Sequence, residues 1–295
     1  MIHVRECVIC SQPITKNSEK KAVVAPFLAG RICGSSAFPA SLLRCEKCDF
    51  SFFTPRMEDS EIARLYQDYR GTAYQKQRHS YEPWYTESFN RGLSSEAAFA
   101  GRVAQLQPVL GRLGLQERVK RVLDFGGDRG QLVSAAFPNA ECYVYDISGV
   151  EPLPGVTAIP QKDELRQLQF DLIVTSNLFE HVSFPLQLNR DIDSIAGSGT
   201  LIFHEVPCEA ATGGMTLLKR IVQSAILIGM RPAIAARMLR PGMFTWMHEH
   251  VNYFSVRALE TMVNATGWKV LAADTYALGD GPRAGKMVWC LAQKP

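Results

Sequence analysis

The sequence predicts an α/β fold, in which a doubly wound, Rossmann-like sheet of seven strands follows a small N-terminal unit with paired cysteines. From residue 119 onward, apolar strand-like runs alternate with helix-like segments, as they do in a parallel sheet covered by helices. A glycine-rich turn, Gly126 to Gly130, follows the first of these runs. Two Cys-x-x-Cys pairs lie near the N-terminus.

Seven runs are predicted as strands of the main sheet: 119–125, 141–146, 156–159, 170–176, 199–206, 269–276 and 287–292. The last two are expected to pair as an antiparallel hairpin around a turn at 279–282. Ligands of such sheets bind at the carboxyl ends of the strands. The predicted site is therefore formed by the tips that follow Phe125, Asp146, Ile159, Ser176 and Glu205.

The stretch after the first strand has the features of a nucleotide-binding turn. Gly126, Gly127 and Gly130 allow the backbone to approach a ligand where a Cβ atom would collide with it. An ordinary tight turn is the alternative. The second strand favours the nucleotide site, because it ends in Asp146, roughly 20 residues after Asp124, where a carboxylate can accept both ribose hydroxyls.

These residues resemble the first motif of the class I S-adenosylmethionine-dependent methyltransferases, acid-x-Gly-x-Gly-x-Gly, with Asp128 at the place of the middle glycine. Aspartate tolerates a left-handed backbone better than most residues. Its carboxylate would repel a pyrophosphate but attract a sulfonium and an amino group. The resemblance therefore implies a seven-stranded methyltransferase sheet with S-adenosylmethionine as its cofactor. The residues that it assigns to cofactor binding are Asp124, Gly126, Gly127, Gly130, Asp146, Ile147 and Asn177.

The paired cysteines predict a structural Zn²⁺ site in a zinc-ribbon unit. Cys7, Cys10, Cys45 and Cys48 can supply four thiolates, which close a tetrahedral shell and leave no open position for chemistry. A disulfide pair is the alternative, although a reducing compartment disfavours it. Cys33 is expected to be a small buried residue or a neighbour of the metal.

Histidines supply the candidate catalytic base. Methyl transfer to a hydroxyl or an activated carbon needs a base near pH 7, for which histidine is suited. His250 is the first candidate, and His181 is a second candidate or a structural turn residue. The pair His248 and His250 has two further interpretations, as metal ligands or as helix-capping residues.

The pattern His-Glu-His-x-x-Tyr-Phe-Ser at 248–255 resembles a methyltransferase branch that acts on sugars, including nucleotide-linked deoxysugars, and that begins with a four-cysteine zinc unit. In that branch the base comes from a Glu-His pair, which implies Glu249 and His250 here. The acceptor expected from this resemblance is a small molecule or a glycan precursor.

The predicted division of the chain is a zinc unit at 1–56, a helical linker or lid at 57–118 and a methyltransferase domain at 119–295. The aromatic residues of 66–85 either form part of the lid or hold a linker against the core. A helical insertion at about 209–245 is expected to pack over the site or between subunits. The alternative is a membrane-surface helix that contacts a lipid-linked glycan.

Composition limits the remaining function classes. The chain has 295 residues, 46% of them hydrophobic, and a net charge of only +3, which argues against a nucleic-acid partner on electrostatic grounds. Its longest apolar stretch is far shorter than a transmembrane segment, and a cytoplasmic location is expected. The alternatives to a small-molecule methyltransferase are an RNA methyltransferase that uses the zinc unit as a clamp and a non-enzymatic cofactor-binding protein.

Overall fold

The structure is a computed structural model that describes residues 1–34, 37–69, 71–93, 96–209, 214–278 and 285–295. Its strands β1 to β12 are Glu19–Val24, Pro39–Arg44, Ser51–Thr54, Arg121–Phe125, Glu141–Tyr145, Val156–Ala158, Leu172–Ser176, Leu201–Pro207, Trp246–Met247, Asn252–Tyr253, Lys269–Leu278 and Gly285–Gln293. Its helices α1 to α10 are Pro26–Cys33, Asp59–Tyr66, Thr72–Tyr81, Glu87–Leu93, Glu96–Arg112, Gln131–Ala136, Pro185–Ile195, Gly214–Met230, Pro232–Met238 and Val256–Asn264.

Residue contacts divide the chain into two compact units. The first contains Met1–Ser94 and Glu209–Tyr253, and the second contains Ser95–Cys208 and Phe254–Pro295. The three-part division expected from the sequence, into 1–56, 57–118 and 119–295, stays a prediction.

The second unit is built on a seven-stranded sheet with the order β11-β12-β8-β7-β4-β5-β6. The β4, β5, β6, β7 and β8 strands pair in parallel, while β12 pairs antiparallel with β8 and β11. This confirms the predicted fold class and all seven predicted strands. The hairpin turn expected at 279–282 lies outside the described residues.

Both faces of this sheet are buried, which explains why its central strands are mostly continuous apolar runs, with polar residues concentrated toward their carboxyl ends. Leu172 and Val174 of β7 lie in a core cluster with helices α5 and α6. Ile173, which points to the opposite face, is also fully buried. The strand order reverses at β4, which lies between β5 and β7, and this is the point where ligands bind in doubly wound sheets.

The first unit contains a five-stranded sheet with the order β10-β3-β2-β1-β9. The sequence predicts strand-like runs at 22–26 and 49–55, which correspond to β1 and β3, but it did not predict helix α1, strand β2 or the two short strands β9 and β10 from 246–253. Tyr74 and Tyr85 are buried in the core of this unit. They hold the aromatic segment against that core, as one of the two interpretations expected, while the lid stays a prediction.

Within the described ranges, every helix is too short or too polar to cross a bilayer.

Candidate active site

The turn after β4 brings the backbone close to the Asp124 carboxyl. A Cβ atom added to Gly127 would lie 2.0 Å from Asp124 Cγ, so only glycine fits at this position. Gly126 has a φ of 76°, in the left-handed region, and Asp128 follows with a φ of 54°. Asp128 thus adopts the left-handed conformation that allows it to replace the family's middle glycine.

Asp146, at the tip of β5, is fixed by two backbone hydrogen bonds. The Asp128 amide donates to its Oδ2 (2.9 Å), and the Ser148 amide donates to its Oδ1 (2.8 Å). The first bond links the glycine-rich turn directly to the neighbouring strand tip. Each carboxylate oxygen has two lone pairs, so both oxygens retain acceptor capacity for a further hydroxyl group.

Three buried oxygen atoms near these tips have no hydrogen-bond partner among the described residues. They are Oδ1 of Asp124, Oγ of Ser148 and Oδ1 of Asn177. Buried polar atoms are almost always paired, so three orphans at the carboxyl ends of β4, β5 and β7 indicate that a polar ligand completes the site. Ile147, next to Asp146, is 68% exposed and offers an apolar surface at the same tip.

The Asp124 carboxyl is almost fully buried. Burial raises its pKa to about 7, and the carboxylates of Asp146 and Glu205 act in the same direction, while the Arg102 guanidinium opposes them. A cationic group bound beside this carboxyl would favour its ionised form.

A second polar group in this unit was missed by the sequence analysis. Arg102 of α5 donates to Ser176 Oγ (2.8 Å), and Ser176 and Tyr276 both donate to the buried Glu205 carboxylate. Burial raises the pKa of Glu205, against the effect of those two hydrogen bonds. Glu205 was recognised as a strand tip, but no local pattern identified Arg102 or Tyr276 as its neighbours.

The four predicted zinc ligands come together in the first unit. The sulfurs of Cys7, Cys10, Cys45 and Cys48 all lie within 4.8 Å of one another. The pairs Cys7 with Cys48 and Cys10 with Cys45 are separated by 3.6 and 3.5 Å. These distances exceed an S–S bond of about 2 Å but approach the separation of about 3.8 Å between thiolates on one tetrahedral Zn²⁺.

Cys33 lies outside this group and is exposed, so the expectation that it is a buried residue or a neighbour of the metal is wrong; its sulfur is 3.7 Å from Oε1 of Glu61.

His250 lies in the first unit with a carboxylate partner. Its Nδ1 is 2.8 Å from Oε2 of Glu209, and its side chain is 33% exposed. A neutral imidazole that donates from Nδ1 accepts a proton at Nε2, which is the arrangement of an oriented general base. Helix α10 begins after Ser255, whose Oγ accepts from the Ala258 amide, so Ser255 and not a histidine caps it.

Glu249, the predicted partner of His250, is buried in a network of the first unit. Arg78 donates to its Oε2 (2.8 Å), and the Tyr74 hydroxyl donates to its Oε1. Nε2 of the neighbouring His248 lies 2.6 Å from Oε1 of Glu82. The catalytic role expected for Glu249 stays a prediction.

His181 lies in the second unit, in the turn after β7. Its amide donates to the Leu178 carbonyl (3.0 Å), and its Nε2 is 3.7 Å from Oε1 of Glu180. This backbone hydrogen bond agrees with the interpretation of His181 as a turn residue, and its catalytic role stays a prediction.

The sheet is doubly wound, and a strand that ends in an acidic residue and a glycine-rich turn lies where its strand order reverses. These features place the second unit among the Rossmann-like nucleotide-binding folds. Residues 99–273, more than half of the chain, match the family model described as a methyltransferase domain. The chain therefore belongs to this methyltransferase family.

Several solved methyltransferases are similar to the chain. Human N-acetylserotonin methyltransferase in complex with S-adenosylmethionine is 11% identical with a TM-score of 0.46, over 79% of this chain and 58% of that one. The chain thus spans less than two thirds of that enzyme. The Burkholderia thailandensis 1,6-didemethyltoxoflavin-N1-methyltransferase, with bound S-adenosylhomocysteine, is 12% identical with a TM-score of 0.49, over 87% and 96% of the two chains. Magnesium protoporphyrin IX methyltransferase from Synechocystis PCC 6803 is 16% identical with a TM-score of 0.40, over 66% and 84%. No curated protein matches the chain.

Proposed function

We propose that the protein is an S-adenosylmethionine-dependent methyltransferase that modifies a hydroxyl or an activated carbon of a sugar, nucleotide sugar or glycan precursor. The observation that carries the cofactor assignment is the set of three unpaired buried oxygens beside the anchored Asp146 carboxylate. Membership of the methyltransferase family supports it independently.

The residues at the strand tips fit the chemical groups of this cofactor. Asp146 would accept hydrogen bonds from the two ribose hydroxyls, and the exposed Ile147 side chain would pack against the base. The unpaired oxygens of Asp124 and Asn177 would accept hydrogen bonds from the amino group of the methionine part. When bound, S-adenosylmethionine supplies a methyl group on a positively charged sulfur.

His250 is proposed to remove the proton from the acceptor. Glu209 orients its ring through Nδ1, so that Nε2 takes the proton as the acceptor oxygen or carbon forms its bond to the methyl group. S-adenosylmethionine would give up the methyl group in this transfer and would be released as S-adenosylhomocysteine. Holding the reactants in one orientation supplies much of the acceleration in such transfers.

The sugar acceptor rests on the His-Glu-His-x-x-Tyr-Phe-Ser resemblance at 248–255. The acceptor is tested by a panel of nucleotide sugars, free sugars and RNA, incubated with a radiolabelled methyl donor. The proposal requires transfer to a sugar compound, with His250→Ala as the inactive control. Label on RNA alone would contradict the sugar assignment and support the clamp role of the cysteine unit.

The four-cysteine group is proposed to hold a structural Zn²⁺. Its sulfurs are at separations that suit one tetrahedral ion, and the ion would tie the two Cys-x-x-Cys segments together. Four thiolates would fill every position of a tetrahedral ion, so the ion would take no part in methyl transfer.

A further inference from the structure

Helix α8 exposes an apolar face. Leu217, Leu218, Ile221, Val222 and Ile228 each leave between 44% and 56% of their surface exposed. Their spacings of one, three and four residues place them along one side of the helix. Soluble helices normally direct such a face toward the core.

The opposite side of α8 is polar and buried. Gln223 and Ser224 are only 8% and 9% exposed, and Arg220 donates to Gln223 Oε1 at 2.8 Å. The Arg220 guanidinium also lies 4.8 Å from the ring centre of Trp246. Leu227, on this side, is 1% exposed and belongs to the core of the first unit. These contacts hold the helix with its apolar side facing outward.

The exposed aliphatic side chains form a patch of roughly 500 Å², at the upper end of what monomeric proteins leave uncovered. Leu239 and Phe244, further along the same segment, are also exposed, at 64% and 40%. A patch of this size indicates an interaction surface rather than scattered surface residues.

The charges of the segment identify the partner. Between residues 214 and 247 the sequence contains five basic residues and no aspartate or glutamate: Lys219, Arg220, Arg231, Arg237 and Arg240. Lys219 and Arg237 are exposed. A second copy of the chain would bring a second set of these basic residues against the first, without any acid of the segment to compensate. Anionic phospholipid complements both the charge and the apolar face.

We propose that the exposed side of α8 docks on the surface of an anionic phospholipid bilayer, where Leu218 and Val222 enter the headgroup and acyl boundary and the exposed Lys219 and Arg237 meet lipid phosphates. No helix within the described ranges crosses a bilayer, so the contact is interfacial.

The test is flotation of the full chain with vesicles of phosphatidylcholine alone or with one third phosphatidylglycerol. The wild type is expected to float with the anionic vesicles, and Leu218→Asp with Val222→Asp should reduce the bound fraction at least about tenfold. Arg237→Gln should weaken binding about fivefold, the effect of one surface charge. Leu113→Asp, at an exposed apolar position in the second unit, is the matched control and should float like the wild type.

Equal far-ultraviolet circular dichroism and equal cooperative thermal unfolding of the wild type and the double variant would show that the variant is folded. The proposal is overturned if the wild type does not float with anionic vesicles, or if the double variant floats equally well. It is also overturned if sedimentation without lipid shows a dimer that the double variant abolishes, since a second copy would then cover the face.

Discussion

Cofactor binding should depend on pH through Asp124. Its carboxyl has a pKa of about 7 in the ligand-free protein, because burial disfavours its charge. If the cationic cofactor binds only the ionised form, the dissociation constant follows the protonated fraction of this group. Raising the pH from 6.0 to 7.5 should then lower the dissociation constant about eightfold. Ligand binding should also release a proton from Asp124 when that carboxyl is protonated.

Titration calorimetry with S-adenosylhomocysteine, in two buffers of different ionisation enthalpy, measures both the affinity and the released proton. Asp124→Asn should remove most of the pH dependence while keeping the shape of the side chain. Glu205→Gln is the matched control, because Glu205 is another buried carboxyl of the same unit, and it should keep the dependence. A dependence that survives in Asp124→Asn but disappears in Glu205→Gln would refute the reasoning.

The same pKa shift predicts an effect on stability with a defined sign. A carboxyl whose pKa is raised on folding makes its full contribution to the stability of the folded state below its unfolded-state pKa of about 3.9. That contribution is lost as the pH rises toward 7. The loss approaches about 4 kcal/mol at pH 7.5, as an upper bound. Ligand-free Asp124→Asn should therefore unfold at a higher denaturant concentration than the wild type, and more so at pH 7.5 than at pH 5.

Four further outcomes are expected. Asp146→Ala should weaken S-adenosylhomocysteine binding by about one to two orders of magnitude through loss of the ribose hydrogen bonds, and unchanged affinity in calorimetry would rule out that contact. His250→Ala should lower kcat at least about a hundredfold with the cofactor affinity unchanged, and retained turnover would assign the base elsewhere. Cys45→Ser should reduce the zinc content, measured by mass spectrometry, from about one ion per chain to a small fraction, and it should also lower Tm. A full zinc content in this variant would exclude the proposed set of ligands. Burial lowers the pKa of His204 to about 3, so its stabilising effect is present above pH 6.5 and is lost as the pH falls. The loss of unfolding free energy caused by His204→Gln should therefore shrink by about 1.4 kcal/mol for each pH unit below 6.5. A loss that does not change with pH would refute this.

The main sheet could be predicted because its information is local. Each strand is an apolar run that ends in a turn, and the acids at 124 and 146 lie at the carboxyl ends of their strands with the expected spacing. The four cysteines are recognisable for the same reason, since each Cys-x-x-Cys pair is a complete half of a tetrahedral site.

The residues that were missed depend on contacts between distant parts of the chain. His250 pairs with Glu209, 41 residues away, and no periodic pattern predicts that contact. Arg102 lies on an amphipathic helix, where a charged residue is expected to face solvent, but the tip of β7 offers it Ser176 as an acceptor. Strands β9 and β10 have only two residues each, too few to show an alternating pattern.

Helix α8 shows a different limit of sequence analysis. Its apolar composition was evident, but a hydrophobic pattern does not say whether the apolar side faces the core or the outside. The buried positions of Gln223 and Ser224 decide the question, and they are visible only in the folded chain.

The most direct test of the central claim is a crystal structure of the full chain with saturating S-adenosylhomocysteine. The ribose hydroxyls should lie within hydrogen-bonding distance of the Asp146 carboxylate, and the amino group should contact Oδ1 of Asp124 or Asn177, which are unpaired without ligand. A ligand bound away from the carboxyl ends of β4, β5 and β7, or an empty crevice at these strand tips, would contradict the proposed cofactor site.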